Sequence, residues 1–418
     1  MNYPDSLRYL SSFLNLERIV FNPDNRLWNL KRMRLLLDWF DHPEKSFFPI
    51  LIAGTKGKGS TGFFLESILN ASGEKTGFYS SPHLQSPRER IRIGSRMVTE
   101  SCWAKGIEGI RRVLNKKKLS ASLGDFTYFE ILTLLAALLF KEAGVRVGIF
   151  EVGMGGRLDA VNALPAKLAI LTPIHLDHEA VLGYTIGQIA GEKAAIIHPG
   201  ADAIVSPQLS EAMRPIRMQA KKQKARLWPA KPVSHSLGLQ GDFQRINAGA
   251  AMQAASLLHE KYGFQLTSAG IRRGLEAKNW PGRMELFKGK PDFLLDGAHN
   301  PVSISALVRN LNRMFPGKKP VLIFATSRDK RSENMLQILS SFFSEIILTR
   351  IPNPRSQEVH TLLLQARPFF DKIFPVGNIT EAVQLAKKVS SGQRLVVATG
   401  SFYLVGGIRK ILVGGKSI

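Results

Sequence analysis

A glycine-rich segment near the amino terminus holds the residues whose types and spacing most clearly suggest chemistry. It follows an apolar run, residues 50–53, that is typical of a buried strand, and it precedes a helical apolar pattern. The segment consists of Gly54, Thr55, Lys56, Gly57, Lys58, Gly59 and Ser60. In this setting, main-chain N–H groups and the amino-terminal end of the helix can bind phosphate oxygens. Lys58 can then reach the β- and γ-phosphates of a nucleotide, and the Ser60 hydroxyl can bind Mg²⁺.

The segment is not a standard Walker A sequence. Gly54 and Gly57 are closer together than the two glycines of that motif. In addition, Gly59 separates Lys58 from Ser60. A glycine-rich turn that binds no ligand is therefore the alternative, but the strand before the segment and the helix after it favour a phosphate loop.

Three further polar residues follow predicted strands or turns. Glu151 ends an apolar strand-like run, His178 lies beyond the end of another, and Ser81 follows a turn. Ligands of an open α/β sheet bind outside the carboxyl ends of its strands. Oxygen ligands joined by a single imidazole suit Mg²⁺ better than zinc. Taken singly, an exposed glutamate and a structural histidine are the alternatives for Glu151 and His178.

Lys193 lies on the apolar face of a predicted helix. Thr185 is a suitable amino-terminal cap, and we expect the helix to continue to about residue 197. Ile186 and Ile189 precede Lys193 by seven and four residues, so that all three share one face. Burial lowers the pKa of a lysine amine, and a neutral amine can react with CO₂ to form a carbamate. A lysine whose amine reaches solvent is the alternative.

The elements that position these residues predict an α/β protein with a mainly parallel sheet, because short β-rich runs alternate with helical patterns. The predicted strands are residues 49–53, 147–152, 168–172, 203–205, 293–295, 321–325, 346–348 and 395–398. A Pro-Gly pair at residues 281–282 separates two series of such elements. We therefore predict an amino-terminal domain at residues 1–285 and a smaller carboxy-terminal domain at residues 286–418.

The composition is that of a globular protein, since 44% of the 418 residues are hydrophobic and 22% are charged. The single cysteine, Cys102, excludes an internal disulfide and a cysteine-based zinc cluster. The first residues contain no apolar signal core, and the longest apolar run, residues 131–140, is too short to cross a bilayer. We therefore expect a cytoplasmic protein that does not bind membranes.

The chain is strongly basic, with 57 Lys and Arg residues against 33 Asp and Glu residues and a formal net charge of +24. Such a charge favours anionic partners, including nucleotides, polycarboxylates and nucleic acid. Two basic clusters, residues 111–118 and 214–226, raise the hypothesis of a nucleic-acid-binding NTPase. Aromatic residues that could stack on bases are nearly absent there, so we predict solvated helix surfaces and no nucleic-acid partner.

Taken in order along the chain, these motifs resemble those of folylpolyglutamate synthases and bacterial dihydrofolate synthases, in the Mur ligase superfamily. The resemblance begins with the loop at residues 54–60 and covers essentially the whole chain. Its further segments are residues 80–84, 89–91, 129–133, 151–160, 176–178, 182–183, 192–194, 247–248, 281–283, 296–300 and 399–404. The segment EVGMGGRLDA at residues 151–160 is close to a verbatim match.

The resemblance implies an ATP-dependent acid–amino-acid ligase. ATP would phosphorylate a carboxylate of a folate or of dihydropteroate, and the amine of L-glutamate would displace the phosphate. The implied fold is an amino-terminal P-loop NTPase-like Mur ligase domain followed by a smaller Rossmann-like α/β domain, and we expect a monomer. Whether dihydrofolate synthase activity accompanies folylpolyglutamate synthase activity is left open. Another Mur-type ligase that acts on a non-folate carboxylate is the alternative.

The resemblance also implies roles for individual residues. One Mg²⁺ would be held by Ser60, Ser81 and Glu151, and a second by Glu151 with His178. Lys193 would be the carbamylated lysine of the family. The residues implied to contact ATP beyond the loop are Asn247, Arg283 and Asp296, and those implied to be catalytic are Lys58, Lys193 and His299.

Four of these positions lie in the later part of the chain. By analogy with the family, Asn247 would lie on the adenine side, Arg283 would hold phosphate in a bidentate manner, and His299 would lie on the glutamate side. The alternatives are a capping or exposed amide for Asn247, a surface arginine for Arg283 and a helix cap for Asp296. His175 departs from the family pattern, which usually has glycine there, close to the implied second metal site.

Overall fold

The computed structural model of the chain describes residues 1–17, 29–117, 119, 123–278 and 280–414. These residues form two compact units. The amino-terminal unit consists of Met1–His83, Pro87–Gly238 and Gln244–Ala277, and the carboxy-terminal unit consists of Leu84–Ser86, Leu239–Phe243 and Lys278–Ile418. Lys118, which belongs to one of the two basic clusters, lies outside the described residues.

The strands of the amino-terminal unit form an eight-stranded sheet. They are β1 (Phe48–Ala53), β2 (Thr76–Tyr79), β3 (Ile91–Ile93), β4 (Arg96–Met97), β5 (Val147–Glu151), β6 (Leu168–Leu171), β7 (Asp202–Val205) and β8 (Arg226–Pro229). The α-helices are α1 (Tyr3–Ser11), α2 (Leu30–Trp39), α3 (Lys58–Ala71), α4 (Glu100–Leu114), α5 (Tyr128–Glu142), α6 (Glu179–Leu182), α7 (Ile186–Ala194), α8 (Ser210–Lys222), α9 (Phe243–Tyr262) and α10 (Ser268–Leu275).

The strand order of this sheet places β1 near its centre. The order is β4-β3-β2-β5-β1-β6-β7-β8, and every neighbouring pair is parallel except the pairs that β3 forms with β2 and β4. Ile52 of β1 lies opposite Glu151 of β5, and Ala53 of β1 lies opposite Leu171 of β6. The carboxyl ends of β1, β2, β5 and β6 therefore meet at one edge of the sheet, where ligands bind in open α/β proteins.

Local sequence signals explain the elements at this edge. β1 is buried over its last five residues, as expected for a central strand with apolar side chains on both faces. α7 begins with a capping box in which Thr185 and Gln188 satisfy each other's main-chain N–H groups. α3 can lie close to β2 because Gly62 has no side chain, and a Cβ there would be 2.4 Å from the ring of Phe78. This close approach packs α3, the helix that follows the glycine-rich loop, against β2.

The carboxy-terminal unit is built on a second sheet, which has six strands. The strands are β9 (Glu285–Phe287), β10 (Phe293–Leu295), β11 (Val321–Phe324), β12 (Glu345–Leu348), β13 (Lys372–Pro375) and β14 (Val396–Thr399). The helices are α11 (Pro301–Met314), α12 (Ser332–Ser340), α13 (Val359–Ala366), α14 (Ile379–Val389) and α15 (Phe402–Leu412).

The second sheet begins earlier in the chain than the predicted carboxy-terminal domain does. Its order is β13-β12-β11-β14-β10-β9, and only β9 runs antiparallel to its neighbour, with Glu285 opposite Leu295. The predicted boundary after residue 285 thus falls inside β9, and the compact unit already begins at Lys278. The Pro-Gly pair lies within this unit, where Gly282 O accepts a hydrogen bond from Gly297 N.

Both sheets are mixed but mainly parallel, which confirms the predicted α/β class. The eight predicted strands are all present, and their ends differ from the prediction by no more than one residue. Six observed strands have no predicted counterpart, namely β2, β3, β4, β8, β9 and β13. Within the described ranges, no helix is both long enough and apolar enough to span a membrane.

Candidate active site

The glycine-rich segment at residues 54–60 joins β1 to α3, as the sequence predicts. α3 begins at Lys58, and its N-cap is Gly57, which has a φ of 87°. This backbone conformation favours glycine, and a Cβ at Gly57 would lie 2.1 Å from Oδ1 of Asn247. No side chain caps the first helical turn, so its main-chain N–H groups and the helix dipole are available to an anion.

The loop is held in place by the segment that follows β6. The main-chain N–H groups of Thr55 and Lys56 donate to Pro173 O at 3.0 and 3.2 Å. Thr55 Oγ1 donates to His175 O and accepts from His175 N, both at 3.0 Å. These two hydrogen bonds use only main-chain atoms of His175, while burial and the positive charge of Lys56 lower the pKa of its imidazole.

Glu151 is the last residue of β5 and lies beside the loop. It is only 5% exposed, so the alternative of an exposed glutamate at the strand end is wrong. Its Oε2 accepts a hydrogen bond from Ser81 N at 3.2 Å, and its Oε1 lies 4.0 Å from Lys58 Nζ. Lys58 Nζ also donates to Gly54 O at 3.2 Å. The structure thus brings three predicted site residues, Lys58, Ser81 and Glu151, into direct contact.

His178 lies in the turn after β6 and begins α6 as its N-cap. It has a positive φ of 52°, its main-chain N–H donates to Asp177 Oδ1 at 3.1 Å, and its side chain is one-third exposed. The other Asp177 oxygen lies 3.6 Å from Lys56 Nζ of the loop. Asp177 is therefore a neighbour of the loop. It is not among the predicted site residues, although it directly precedes His178 in the sequence.

Lys193 is buried in the last turn of α7, with 4% exposure, which confirms its predicted inward position. Burial, reinforced by the positive charge of Lys58, lowers the pKa of Lys193 to about 7. Half of the amine is therefore uncharged near neutral pH. The helix ends at Ala194 rather than near residue 197, and the chain continues as a turn in which Ile196 N and Ile197 N donate to the carbonyls three residues before them.

Asp159 is a second buried ionisable group in this part of the unit. Burial raises the pKa of Asp159 to about 6, although its carboxylate accepts hydrogen bonds from Met154 N at 3.0 Å and Val161 N at 3.1 Å. The segment that Asp159 organises also contacts the helix of Lys193, because Arg157 N donates to Glu192 O at 2.9 Å. The motif at residues 151–160 is therefore anchored to the carboxyl end of α7.

α9 lies against the other side of the loop and contacts it through two buried amides. Asn247 Oδ1 is next to Gly57, and Asn247 Nδ2 donates to Gln244 Oε1 at 2.9 Å. Gln244 Nε2 in turn donates to Ser60 Oγ at 3.4 Å. Gln244 is absent from the predicted site, although it precedes Asn247 by one helical turn and so shares its face. The alternative of an exposed amide for Asn247 is wrong, because this residue is 3% exposed.

In the carboxy-terminal unit, Asp296 follows β10 and is 6% exposed. One of its oxygens accepts from Met284 N at 3.0 Å and the other accepts from Ala298 N at 2.9 Å. α11 is capped by Asn300 and not by Asp296, so the alternative of a helix cap is wrong for Asp296. The carboxylate instead stabilises the turn that leads to His299.

The ring of Phe402 lies next to two of the predicted site residues in this unit. The guanidinium of Arg283 lies 4.3 Å from the centre of the Phe402 ring, and the His299 ring lies 5.6 Å from it at 55°. His299 Nδ1 is 2.8 Å from Gly297 O, so Nδ1 carries a proton and donates it to this carbonyl. Phe402 has no place among the predicted site residues, because only the folded chain brings it next to Arg283.

The chemistry of the available ligands decides whether a metal fits at the loop. In the part of the chain that the structure describes, no group of three or more His, Cys, Asp and Glu residues could hold a metal ion. The predicted set instead combines the hydroxyls of Ser60 and Ser81 with the carboxylate of Glu151. These are hard oxygen ligands, and Ser60 and Glu151 are both buried, Ser60 in the first turn of the helix that follows β1 and Glu151 at the end of the neighbouring strand β5. The donor set therefore fits Mg²⁺.

Known proteins resemble this chain over both units. A family model described as Mur ligase, glutamate ligase domain, matches residues 282–402. A folylpolyglutamate synthase from Lacticaseibacillus casei is 30% identical over 447 residues, covering 100% of both chains. A dihydrofolate synthase/folylpolyglutamate synthase from Mycobacterium tuberculosis is 30% identical, covering 90% of this chain and 86% of the relative. The solved structure of Mycobacterium tuberculosis folylpolyglutamate synthase complexed with ADP has a TM-score of 0.88 and 28% identity, covering 99% of this chain and 98% of that one.

Proposed function

This chain belongs to the folylpolyglutamate synthase/dihydrofolate synthase family, and we infer from this premise how its own residues carry out the family's reaction. It is an ATP-dependent ligase that adds L-glutamate to folates. The Mur ligase fold predicted from the sequence is confirmed by the likeness to the ADP complex. The likeness along the entire chain favours folates over another carboxylate substrate.

The proposed reaction has two steps. First, a carboxylate oxygen of the folate attacks the γ-phosphorus of ATP, the bond from this phosphorus to the β,γ-bridging oxygen breaks, and ADP is released from the new acyl phosphate. Second, the amine of L-glutamate attacks the acyl carbon, the bond from this carbon to the phosphate oxygen breaks, and phosphate and a proton are released. Several anionic groups must therefore meet, and catalysis depends on neutralising and positioning them.

We assign the triphosphate to the loop at residues 54–60. The N–H groups at the start of α3 and the ammonium groups of Lys56 and Lys58 supply positive charge at one edge of the sheet. Lys58 lies between the loop carbonyl of Gly54 and the carboxylate of Glu151. This juxtaposition of Lys58, at the start of the helix that follows β1, with Glu151, at the end of the neighbouring strand β5, is the observation that carries the proposal.

We assign one Mg²⁺ to Ser60, Ser81 and Glu151, and a second to Glu151 with His178. When bound, Mg²⁺ neutralises the charge that develops on the phosphate oxygens. The residues of the chain orient the ligands, since Ser81 N holds one carboxylate oxygen of Glu151. The donor chemistry supports the first ion, whereas the assignment of the second ion depends on the resemblance to the family.

We propose that Lys193 is carbamylated. The neutral amine nitrogen bonds to the carbon of CO₂, a C=O π-bond becomes the C–O⁻ of the carbamate, and the nitrogen releases one proton. Because the protonated lysine must first lose a proton to reach the neutral form, the change from a cationic to an anionic side chain releases two protons in all. A protonated Lys193 is repelled by the nearby cations Lys56 and Lys58, and the same cations would attract a carbamate. Burial and repulsion both favour the neutral amine, which is the form that reacts.

We keep the remaining predicted residues as proposals. Arg283 is proposed to bind phosphate, Asp296 to contact ATP and His299 to act on the glutamate side. Asn247 is proposed to lie on the adenine side, and its position next to Gly57 of the loop supports this proposal. The predicted monomeric state and cytoplasmic location stay predictions, as does the absence of nucleic-acid and membrane partners.

The proposed function is tested by paired assays of ATP-dependent glutamate incorporation. One assay supplies tetrahydrofolate monoglutamate and the other supplies dihydropteroate. Incorporation with tetrahydrofolate supports the ligase assignment, and incorporation with dihydropteroate adds dihydrofolate synthase activity. A pure, folded protein that incorporates glutamate into neither substrate contradicts the proposed function.

A further inference from the structure

We propose that Gln244 is a positioning residue that orients the hydroxyl of Ser60 for Mg²⁺ when the nucleotide binds. The inference rests on the proposed function, since it concerns the phosphate loop of the same site. The loop motif itself assigns no role to Gln244, which is far from the loop in the sequence. The structure supplies the connection.

Gln244 is fully buried beside the loop, with 0% exposure, in the first turn of α9. Its Nε2 donates to Ser60 Oγ at 3.4 Å, and its Oε1 accepts from Asn247 Nδ2 at 2.9 Å. Ser60 is itself 2% exposed and lies in the first turn of α3. The two hydrogen bonds therefore connect α9 to the part of the loop that is assigned to the metal.

The bond from Asn247 determines which end of the Gln244 amide faces Ser60. Because the amide oxygen accepts from Asn247, the amide N–H group is the end that meets Ser60 Oγ. A hydroxyl has one donor and two acceptor positions, and Gln244 occupies one acceptor position of Ser60. The hydroxyl proton must then point away from Gln244, and the second acceptor position is left for a cation.

A buried amide that only joins α9 to α3 is the structural alternative, since buried polar groups require partners. The two roles differ in their dependence on Mg²⁺. An amide with a purely structural role supports nucleotide binding equally with and without Mg²⁺. A residue that orients Ser60 affects only the part of the affinity that Mg²⁺ provides.

The test measures the dissociation constant of a fluorescent ADP analogue in Mg²⁺ and in EDTA. Gln244→Met also removes the acceptor of Asn247 Nδ2, and this loss acts in both buffers. We therefore expect Gln244→Met to weaken binding about fivefold to tenfold more in Mg²⁺ than in EDTA, as for the loss of one further hydrogen bond. In a Ser60→Ala background, Gln244→Met should cause no further Mg²⁺-specific loss, because that part of its role passes through Ser60. Equal weakening in both buffers, or additive effects of the two substitutions, overturns the inference.

Gln219→Met is the matched control. Gln219 lies on α8, and its side-chain amide donates a comparable hydrogen bond to Ile197 O at 3.2 Å. Gln244→Asn is a second variant, which keeps a buried amide but withdraws it from Ser60 by one methylene group. It should give the same Mg²⁺-specific loss, with a melting temperature close to that of the wild type. If the wild type binds no ADP analogue and ligates no glutamate, the proposed function fails. If the wild type is active and the effects of Gln244→Met and Ser60→Ala are additive, only the role of Gln244 fails.

Discussion

At the scale of single residues, three buried ionisable groups define the amino-terminal site. Glu151, Lys193 and Asp159 are 5%, 4% and 2% exposed, whereas charged residues are seldom so deeply buried. Burial lowers the pKa of Lys193 to about 7 and raises the pKa of Asp159 to about 6, so both groups can change charge near neutral pH. Pairs of perturbed groups beside a ligand-binding loop are typical of functional sites.

We expect Glu151→Gln to lower turnover about 100-fold or more, because a neutral amide is a poor substitute for the carboxylate that we propose as an Mg²⁺ ligand. The melting temperature should change little, since the new amide oxygen can still accept the hydrogen bond from Ser81 N. Steady-state kinetics and thermal unfolding measure the two effects. Glu142→Gln is the control, because Glu142 is exposed and pairs with Lys105 at the surface, and it should keep wild-type activity. Wild-type turnover in Glu151→Gln would show that Glu151 is not a ligand of the metal ion.

We expect the activity to rise about tenfold between pH 6 and pH 8 at a fixed concentration of dissolved CO₂. The pKa of Lys193 is lowered to about 7, so its amine is mostly protonated at pH 6 and mostly neutral at pH 8, and only the neutral form reacts with CO₂. Lys193→Arg should be inactive at every pH. Carbon-13 NMR with labelled bicarbonate should show a carbamate signal that this variant lacks. Activity that is indifferent to removal of CO₂, with no carbamate signal, would refute carbamylation.

The sequence predicts residues of the site where the signal is local. The inward position of Lys193 follows from helical periodicity, and the position of Glu151 follows from the strand that it ends. The sequence does not reveal Gln244 or Phe402, because each meets its partner across a large separation in the chain. Gln244 and Ser60, for example, are 184 residues apart. Only packing of the folded chain creates such contacts.

At the scale of elements, parallel strands explain why distant motifs converge. β1, β2, β5 and β6 end at one edge of the sheet. β1 leads into the loop, and β5 ends at Glu151. The segment after β2 contacts Glu151 through Ser81, and the segment after β6 contacts the loop through Pro173. The strands with long apolar runs are predicted correctly. β8 and β13 are missed because they are edge strands with exposed ends, which have no such run. β2 is fully buried but has only four residues, one of them glycine, so its pattern is too short to recognise.

We expect Gly57→Ala to weaken ATP binding more than about tenfold and to lower the melting temperature. A Cβ at Gly57 would lie 2.1 Å from Asn247 Oδ1, and the φ of 87° is unfavourable for alanine. Isothermal titration and thermal unfolding measure the two effects. Gly109→Ala is the control, because a Cβ there meets no atom within 4 Å and α4 tolerates alanine. This control should be neutral or stabilising by up to about 1 kcal/mol. Equal effects of the two substitutions would contradict the account of the loop.

At the scale of the whole molecule, the net charge of +24 is the feature that the site residues do not explain. We expect it to favour folates with long glutamate chains, which become more anionic with each addition. The KM for such a substrate should rise more steeply with salt than the KM for a monoglutamate, because salt screens long-range attraction. Kinetics at about 50 and 300 mM salt compare the two slopes. Equal slopes would show that the charge has no part in substrate binding.

The central claim is that the chain joins glutamate to a folate by way of an acyl phosphate formed with ATP. It is tested most directly with a folate substrate whose reacting carboxylate carries oxygen-18. During turnover with ATP and L-glutamate, the account predicts that one labelled oxygen moves to each phosphate released, because the carboxylate oxygen stays with phosphorus when the amide forms. Glutamate incorporation that releases unlabelled phosphate would contradict the claim.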